Sequence, residues 1–396
     1  MPSAVEQAHQ RLVDQLIARG SLWSGPLIDA FRATPRHRFL DRVYHYQRQH
    51  NRWREVRTDR LGRAELRLIY SDRALTTRLS EPTLSRPAVA ISSSSQPSLM
   101  AQMLEDLHLT PGLRVLEVGA GTGFNAALLA AMGCQVISLD VDRGVLAEAE
   151  RHLQTFPERS ITFRHGDGRL GYREDAPYDR LLVTASTPDL EPAWLAQAAE
   201  GGVIQAPLAL APGLAFLVQG EVRQGTFEGR LTRPAYFMAL RAEGEVGEER
   251  GRYLPGPSGL TAVAAPWGEW AERVSFPSGN PPFQQSLAFL AWLQGLTVSY
   301  QAGLDGRPTF AVGDLVQGHV CWLGSREWRV TGNAGRDLGL RLWHLFLETG
   351  GPWPTEFRLR IAARGNVSWT EGPITFLRQG PRCTQVWELM KSRERR

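Results

Sequence analysis

The stretch "RVLEVGAGTGFNAALLA", residues 114–130, decides the fold. Residues 114–118 read as a short apolar strand. It runs into three alternating glycines, Gly119, Gly121 and Gly123, and a helix closed by Gly133 follows at once. Glycine in such a strand-to-helix turn lets a ligand approach the backbone, because no Cβ stands in the way. Downstream, "CQVISLD" is a strand ending in Asp140 and "RGVLAEAERHL" is a helix. "ITFRHGD" and "YDRLLVTA" are strands, "EPAWLAQA" is a helix, and "GGVIQAPL" is a strand. Strands alternating with helices of about ten residues predict a parallel, doubly wound α/β sheet. "AFLVQGEVRQGTFEGRLTRPAYFMAL" reads as antiparallel strands added at its edge.

Upstream, apolar positions at 12, 13, 16 and 17 predict a helix over 4–19, and "PLIDAFRA" a second one with Pro26 in its first turn. A stretch rich in Arg covers 42–67, and "IYSDRALTTRL" is partly extended. Four serines, Ser92 to Ser95, then precede a helix that opens at Pro97. The segment 241–259, rich in Gly, Glu and Pro, reads as a linker. Residues 260–396 carry nine of the twelve tryptophans, a helix near 284–294 and several short strands. Those tryptophans suit a core or a peptide groove. Three domains are expected: 1–82, N-terminal helices and Arg-rich insert at the substrate cleft; 83–242, the doubly wound nucleotide-binding domain; and 260–396, an additional α+β domain for substrate recognition.

Composition bounds the function. The chain has 396 residues, 42% of them hydrophobic, and a net charge of +4. No run approaches the ~20 apolar residues of a membrane span. The first residues lack an apolar signal core. Cys134, Cys321 and Cys383 are too few and too scattered for a disulfide framework or a zinc site. A cytoplasmic protein without metal or membrane partner is expected, as a monomer or a homodimer. Lys391 is the single lysine. From 41 to 67, eight arginines stand against four acids, with two histidines, two tyrosines and Trp53 interleaved. This is either a solvated basic face or a landing surface for an acidic partner.

The chemistry lies at the strand ends. The glycine spacing is G-x-G-x-G, with Phe124 where a dinucleotide fingerprint has its last glycine. Glu117, one residue before the turn, repels a pyrophosphate and suits an ammonium group. Asp140 stands where an acid accepts from ribose hydroxyls. Asp167 and Gly168 end the third strand, in position for an adenine edge. Ribose and adenine without phosphates, plus an ammonium, describe S-adenosyl-L-methionine. After the fourth strand "VTASTPDL" has no Asn/Asp-Pro-Pro-aromatic motif for amino-nitrogen acceptors and no Pro-Cys nucleophile. The acceptor motifs therefore disfavour nucleic acid. A carboxylate acceptor fits better. It is ionised at neutral pH, with a reference pKa of about 4, and needs positioning rather than a general base.

These stretches, with "LVDQLIARG", "TPRHRFL", "SSQPSLMAQMLEDL", "HGDGRLG" and "APYDRLLVTAS", resemble the protein-L-isoaspartate O-methyltransferase family over residues 10–240. The resemblance implies a class I methyltransferase (Rossmann-like) fold and a cofactor site at Glu117, Gly119, Gly121, Gly123, Asp140, Asp167 and Gly168. It also implies a serine at the acceptor carboxylate, which falls on Ser95, with Ser93 at the family's threonine position. Ser95 is alternatively a helix cap. Ser94, Arg73, Asp72 and His37 are the candidate substrate contacts. Asp72 and Arg73 could instead form an ion pair, and His37 could pack a turn. "WREV", "YSDRALTT" and "SSSSQPSLM" depart from the short repair enzymes. They resemble relatives that accompany ATP-grasp ligases in making crosslinked ribosomal peptides (graspetides). That likeness implies an acidic peptide substrate whose aspartyl ester closes to aspartimide, and isoaspartate on hydrolysis. General repair of isoaspartyl protein is the alternative, and a non-catalytic precursor-binding protein a third.

Overall fold

The computed structural model describes residues 3–59, 61–83, 87–156, 158–245, 254, 256–266, 283–302, 308–324, 327–364 and 374–390. The chain divides into two units. The first holds Met1–Ser186, Ala193–Ala206 and Phe237–Gly247; the second holds Thr187–Pro192, Pro207–Tyr236 and Glu248–Arg396.

In the first unit, α1 (Ala4–Ala18) opens with a capping box between Ser3 and Glu6, which satisfies two free amides at once. It buries Ala8, Leu12, Val13 and Leu16. Helix α2 (Gly25–Arg32) follows, with proline in its first turn. Glu105, buried in α4 (Pro97–Asp106), accepts from the amides of Trp23 and Ser24 and fixes the start of α2. The Arg-rich stretch is a hairpin, β1 (Arg42–Gln47) and β2 (Arg52–Arg57), followed by α3 (Arg63–Ile69). With β3 (Leu75–Leu79) and β4 (Ala90–Ser94) it forms a four-stranded sheet ordered β2-β1-β3-β4. The serine run is therefore mostly a strand, at the edge opposite to β2.

The doubly wound part contains β5 (Arg114–Val118), α5 (Phe124–Ala131), β6 (Gln135–Asp140), α6 (Arg143–Leu153), β7 (Ile161–His165), β8 (Tyr178–Val183), α7 (Pro192–Gln197) and β9 (Ala198–Ala211). Strand β5 pairs in parallel with β6 on one side and β8 on the other. Strand β7 pairs with β6, and the first half of β9 with β8. The strand order thus reverses between β5 and β8, the place where open α/β sheets form a ligand crevice. Val115, Leu116, Leu128, Leu129, Leu181, Leu182 and Ile204 are fully buried. Such positions contribute ~1.5–3 kcal/mol each on removal from water.

The second unit is mostly antiparallel. Strands β10 (Leu214–Arg223) and β11 (Thr226–Pro234) make a hairpin. It turns at Gln224-Gly225, both with positive φ, as a two-residue turn requires. Further on come β12 (Thr261–Ala264), α8 (Phe283–Leu293), β13 (Thr297–Ala302), β14 (Pro308–Asp314), β15 (His319–Trp322), β16 (Glu327–Val330) and α9 (Gly332–Glu348). The last elements are β17 (Phe357–Ala363), β18 (Thr375–Gln379) and β19 (Cys383–Leu389). Five of these strands form a sheet ordered β12-β16-β15-β14-β13. Trp292, Trp322, Trp328, Trp343 and Trp387 are buried, so these five are core rather than the lining of a peptide groove. Phe289 centres the cluster, with Trp387 and Phe357 edge-on at 5.4 and 5.3 Å. Trp267, Trp270 and Trp369 lie outside the described residues. Of the predicted linker, 246–253 and 255 lie outside them too, while Arg241 to Glu245 group with the first unit. Asp189, in the stretch read for acceptor motifs, is buried. It accepts from the amides of Leu190, Arg382 and Cys383 and from Gln385 Nε2, a structural tie within the second unit.

Candidate active site

The glycine turn is held from both sides. The amides of Gly119 and Ala120 donate to Leu139 O at 2.8 and 3.1 Å. Thr184 Oγ1 donates to Gly119 O at 2.7 Å. Gly119 has φ +100°, and a Cβ there would come within 2.4 Å of that hydroxyl, so only glycine fits. The amides of Gly121 and Asp142 donate to Asp140 at 3.2 and 3.0 Å. Burial pushes the Asp140 carboxyl above the usual range, against those two amides and the nearby Arg241 guanidinium. Gly123 is the left-handed N-cap of α5, packed on Ala149 of α6.

Glu117, the penultimate residue of β5, is fully buried. Ser138 Oγ donates to its Oε2 at 2.5 Å, while Oε1 meets no hydrogen-bond geometry among the described residues, although the Asn125 side chain lies close enough to draw the carboxyl down against burial. Burial pushes this carboxyl up to about 8. An unpaired buried carboxylate oxygen beside a glycine cradle fits the ammonium of S-adenosylmethionine, which would supply the missing partner and restore the charge. Gly168 is required by packing, since a Cβ there would lie 2.4 Å from Val118 Cγ1 and 3.1 Å from Leu240 Cδ1. Asp167 is less free than its strand-end position implies. Arg169 closes it with its backbone amide and its guanidinium, the shortest contact being 2.6 Å. A base edge at Asp167 therefore meets a carboxylate already in an ion pair.

Strand alternation sorts the four serines. Ser92 and Ser94 are buried, whereas Ser93 and Ser95 are half-buried. Ser92 Oγ accepts from Thr77 at 3.3 Å and Ser94 Oγ from Arg36 Nε at 3.2 Å. Ser94 thus belongs to the frame, correcting its assignment as a substrate contact: its hydroxyl is used and shielded. The hydroxyls of Ser93 and Ser95 have no partner among the described residues. A Cβ on Gly121 would lie 3.5 Å from Ser93 O, so β4 passes directly over the cofactor turn.

Arg36, which sequence reasoning passed over inside "TPRHRFL", holds this strand. It is 1% exposed. Its NH2 donates to the carbonyls of Arg73, Ser94 and Ser95 at 2.9, 3.1 and 2.9 Å. Its NH1 donates to those of Ile69 and Ser71 at 3.0 and 3.1 Å. Burial lowers it to about 9, so it stays charged at neutral pH. One guanidinium thereby brings the backbone of exposed Arg73 next to that of Ser95. Among the described residues the Arg73 guanidinium has no partner. Asp72 is not paired with Arg73. It pairs with Arg19 at 3.1 Å and accepts from the Ser98 amide at 2.9 Å, capping α4 from a distance. The alternative ion pair with Arg73 is thus not formed, and the carboxylate serves the frame. The cap role considered for Ser95 also goes to Asp72, because Gln96, the N-cap residue of α4, makes no side-chain cap of its own. His37 Nδ1 lies 2.5 Å from Tyr70 Oη, and burial lowers it to about 4, leaving a neutral, half-buried imidazole.

Residues 237–245 cross the strand ends. Leu240 N donates to Ser186 O at 2.8 Å. Arg241 NH2 donates to Ile91 O at 2.8 Å, tying the segment to β4. Glu243 approaches His165 at 3.6 Å. The second half of the segment, from Arg241, begins the stretch that reads as a linker in sequence, which hides this role.

The fold is that of a class I methyltransferase, and the carboxylates and glycine turn at its strand ends would fit the ammonium and ribose of S-adenosylmethionine. Residues 67–242 match the family model "Protein-L-isoaspartate(D-aspartate) O-methyltransferase (PCMT)". Protein-L-isoaspartate O-methyltransferase 1 of Anaeromyxobacter sp. (strain Fw109-5) is 45% identical over 124 residues, 31% of this chain and 58% of that protein. The chain thus spans little more than half the length of this curated relative. A solved protein-L-isoaspartate O-methyltransferase shares 22% identity and aligns with 89% of this chain and 96% of its own, with a TM-score of 0.51. A Plasmodium falciparum structure titled a putative enzyme of that name, in complex with S-adenosyl-L-homocysteine, aligns with 59% of this chain at 18% identity and a TM-score of 0.46. Since the first structure aligns with nearly nine-tenths of the chain, the C-terminal extension does not by itself set this protein's fold apart.

Proposed function

We propose that this protein is an S-adenosylmethionine-dependent O-methyltransferase acting on a side-chain carboxylate derived from aspartate in a peptide chain. The observation that carries the reading is the placement of β4. It runs over the glycine turn with two free hydroxyls, Ser93 and Ser95, and an exposed cation, Arg73, beside its end. S-adenosylmethionine supplies an electrophilic methyl group when bound. Glu117 would hold its ammonium and Asp140 its ribose, with Asp167 and Gly168 at the base. The carboxylate nucleophile is ionised at neutral pH, so these side chains need only orient it. Ser95 donates to the carboxylate, Ser93 lies nearer the turn, and Arg73 draws the anion in.

The isoaspartyl carboxylate is the acceptor named in the matched family's description. The finer reading is an ordinary aspartate in a crosslinked ribosomal peptide. It is supported by the Arg-rich hairpin, which belongs to the same sheet as β4. There the following backbone nitrogen attacks the ester carbon and the C–N bond forms as the C–O bond to methoxide breaks. The amide proton leaves with methoxide as methanol. A five-membered closure of this kind gains the rate of an intramolecular reaction.

Purified protein, S-adenosylmethionine and either an isoaspartyl peptide or a crosslinked precursor, followed by mass spectrometry, separate these acceptors. Repair gives a methyl gain on the first substrate only. Aspartimide formation gives a methyl gain on the second, then a net loss of one water. No methyl transfer to either removes the proposal. Ser95→Ala is expected to lower kcat ~10- to 100-fold, the range for one hydrogen bond to a charged group, with cofactor affinity unchanged by calorimetry. Unchanged turnover would remove Ser95 from the site.

A further inference from the structure

A cleft of about 580 Å³ lies in the first unit; one of its lining residues, His152, also reaches the glycine turn, with Nδ1 3.0 Å from Thr122 O. The cleft is walled by His37 and Arg38, the start of β1, the end of β2 and the last turn of α6. Four arginines line it, Arg38, Arg42, Arg57 and Arg151, against two aspartates, Asp41 and Asp59, a net of +2 before either histidine is counted. The acids are already engaged. Asp41 takes Arg151 and His152, and Asp59 takes Arg57 at 3.5 Å. Arg42 pairs with Glu148 at 3.2 Å. The guanidinium of exposed Arg38 has no partner among the described residues. Arg42 and Arg57 are also direct cross-strand neighbours, where like charges repel and an anion between them relieves the cost. Leu40 is the single aliphatic residue in the lining, so the cleft suits a charged ligand rather than an apolar one.

We infer that this cleft binds carboxylate side chains of the peptide substrate, flanking the residue that is methylated. The inference rests on the function proposed above. Sheet register supplies the link. Ser93 pairs with Thr76, Thr76 with Tyr44 and Tyr44 with Glu55, so one row crosses the whole sheet. Residues directly opposite share a face, and Arg42 and Arg57 lie two positions along the same face. With two residues of offset, two strand spacings separate the acceptor strand from Arg42 and three from Arg57, ~12 and ~16 Å, which about four to five extended residues span. A peptide with its acceptor at Ser93 and Ser95 therefore reaches the cleft with acidic side chains about five positions away.

The test compares two fluorescent peptides with the same acceptor, one carrying a Glu-Glu pair five positions from it and the other Gln-Gln. Anisotropy with the full chain reads binding, and methyl transfer is assayed separately. The Glu peptide is expected to bind at least fivefold more tightly and to show a correspondingly lower KM with the same kcat. About 0.5 M salt should erase the preference, because exposed charges are screened beyond ~5 Å there. Arg38→Glu with Arg57→Glu should reverse it, and the milder Arg38→Gln with Arg57→Gln should reduce it. Equal affinity for both peptides, or a preference that survives in the charge-reversed variant, overturns the inference. Tighter Glu-peptide binding without methyl transfer to either peptide keeps the cleft and overturns the proposed function. Methyl transfer to both without charge preference does the opposite.

Discussion

Arg36→Ala is expected to cost this protein ~3–5 kcal/mol and nearly all methyl transfer. The buried guanidinium makes six hydrogen bonds to Ser94 and to five backbone carbonyls. Alanine leaves a cavity and several buried carbonyls without donors, each worth ~1–3 kcal/mol before the site relaxes. The first melting transition should fall by on the order of 10 °C. Arg36→Lys is the more informative variant. Lysine keeps the charge but cannot span Ile69, Ser71, Arg73, Ser94 and Ser95 with one rigid fork. A folded protein is expected, with kcat at least tenfold lower and cofactor affinity unchanged. If the lysine variant turns over like the parent, Arg36 is only a stability element.

Glu117→Gln should have opposite effects on stability and on cofactor binding. The Glu117 carboxyl is pushed up to about 8 by burial. Between the unfolded value near 4.5 and that point, the folded protein keeps a proton that the unfolded chain has lost. Stability contributed by this group therefore falls as pH rises across that window, by up to ~1.4 kcal/mol per unit. Glutamine is always neutral, so the variant should be more stable than the parent by a few kcal/mol near pH 8, with the difference vanishing toward pH 4.5. Its affinity for S-adenosylmethionine should drop about 30- to 100-fold, because the ammonium loses a charged partner. In the parent, affinity should improve as pH rises toward 8, since binding needs the carboxylate. Chemical denaturation and calorimetry over that range check both trends. Equal cofactor affinity in the variant would show that Glu117 serves Ser138 and the frame alone.

Much of this was legible in the chain. The alternation of strands and helices around residues 114–130 fixes a parallel sheet. The Gly-x-Gly-x-Gly turn with acids at the next two strand ends fixes where a ligand must sit, because those features depend on local backbone freedom and on strand direction. The serine run pointed to the acceptor region. The family resemblance already singles out Ser95 and Ser93; the strand period of β4 separates them from buried Ser92 and Ser94, which a run of identical residues does not show.

Other features depended on contacts distant in sequence. Arg36 lies 59 residues before Ser95, and nothing in "TPRHRFL" distinguishes a clamp from a surface cation. Asp72 stands next to Arg73, yet it pairs with Arg19, because the fold brings α1 to the start of α4. Residues 241–245 open a stretch that reads as a linker, yet Arg241 ties them to β4. The sequence by itself determined the parallel sheet and its glycine turn, both set by local pattern. Tertiary structure alone decided which hydroxyls stay free, which arginine is buried to hold them and which arginines gather at one cleft. Those outcomes depend on burial and on partners that only the folded chain brings within reach.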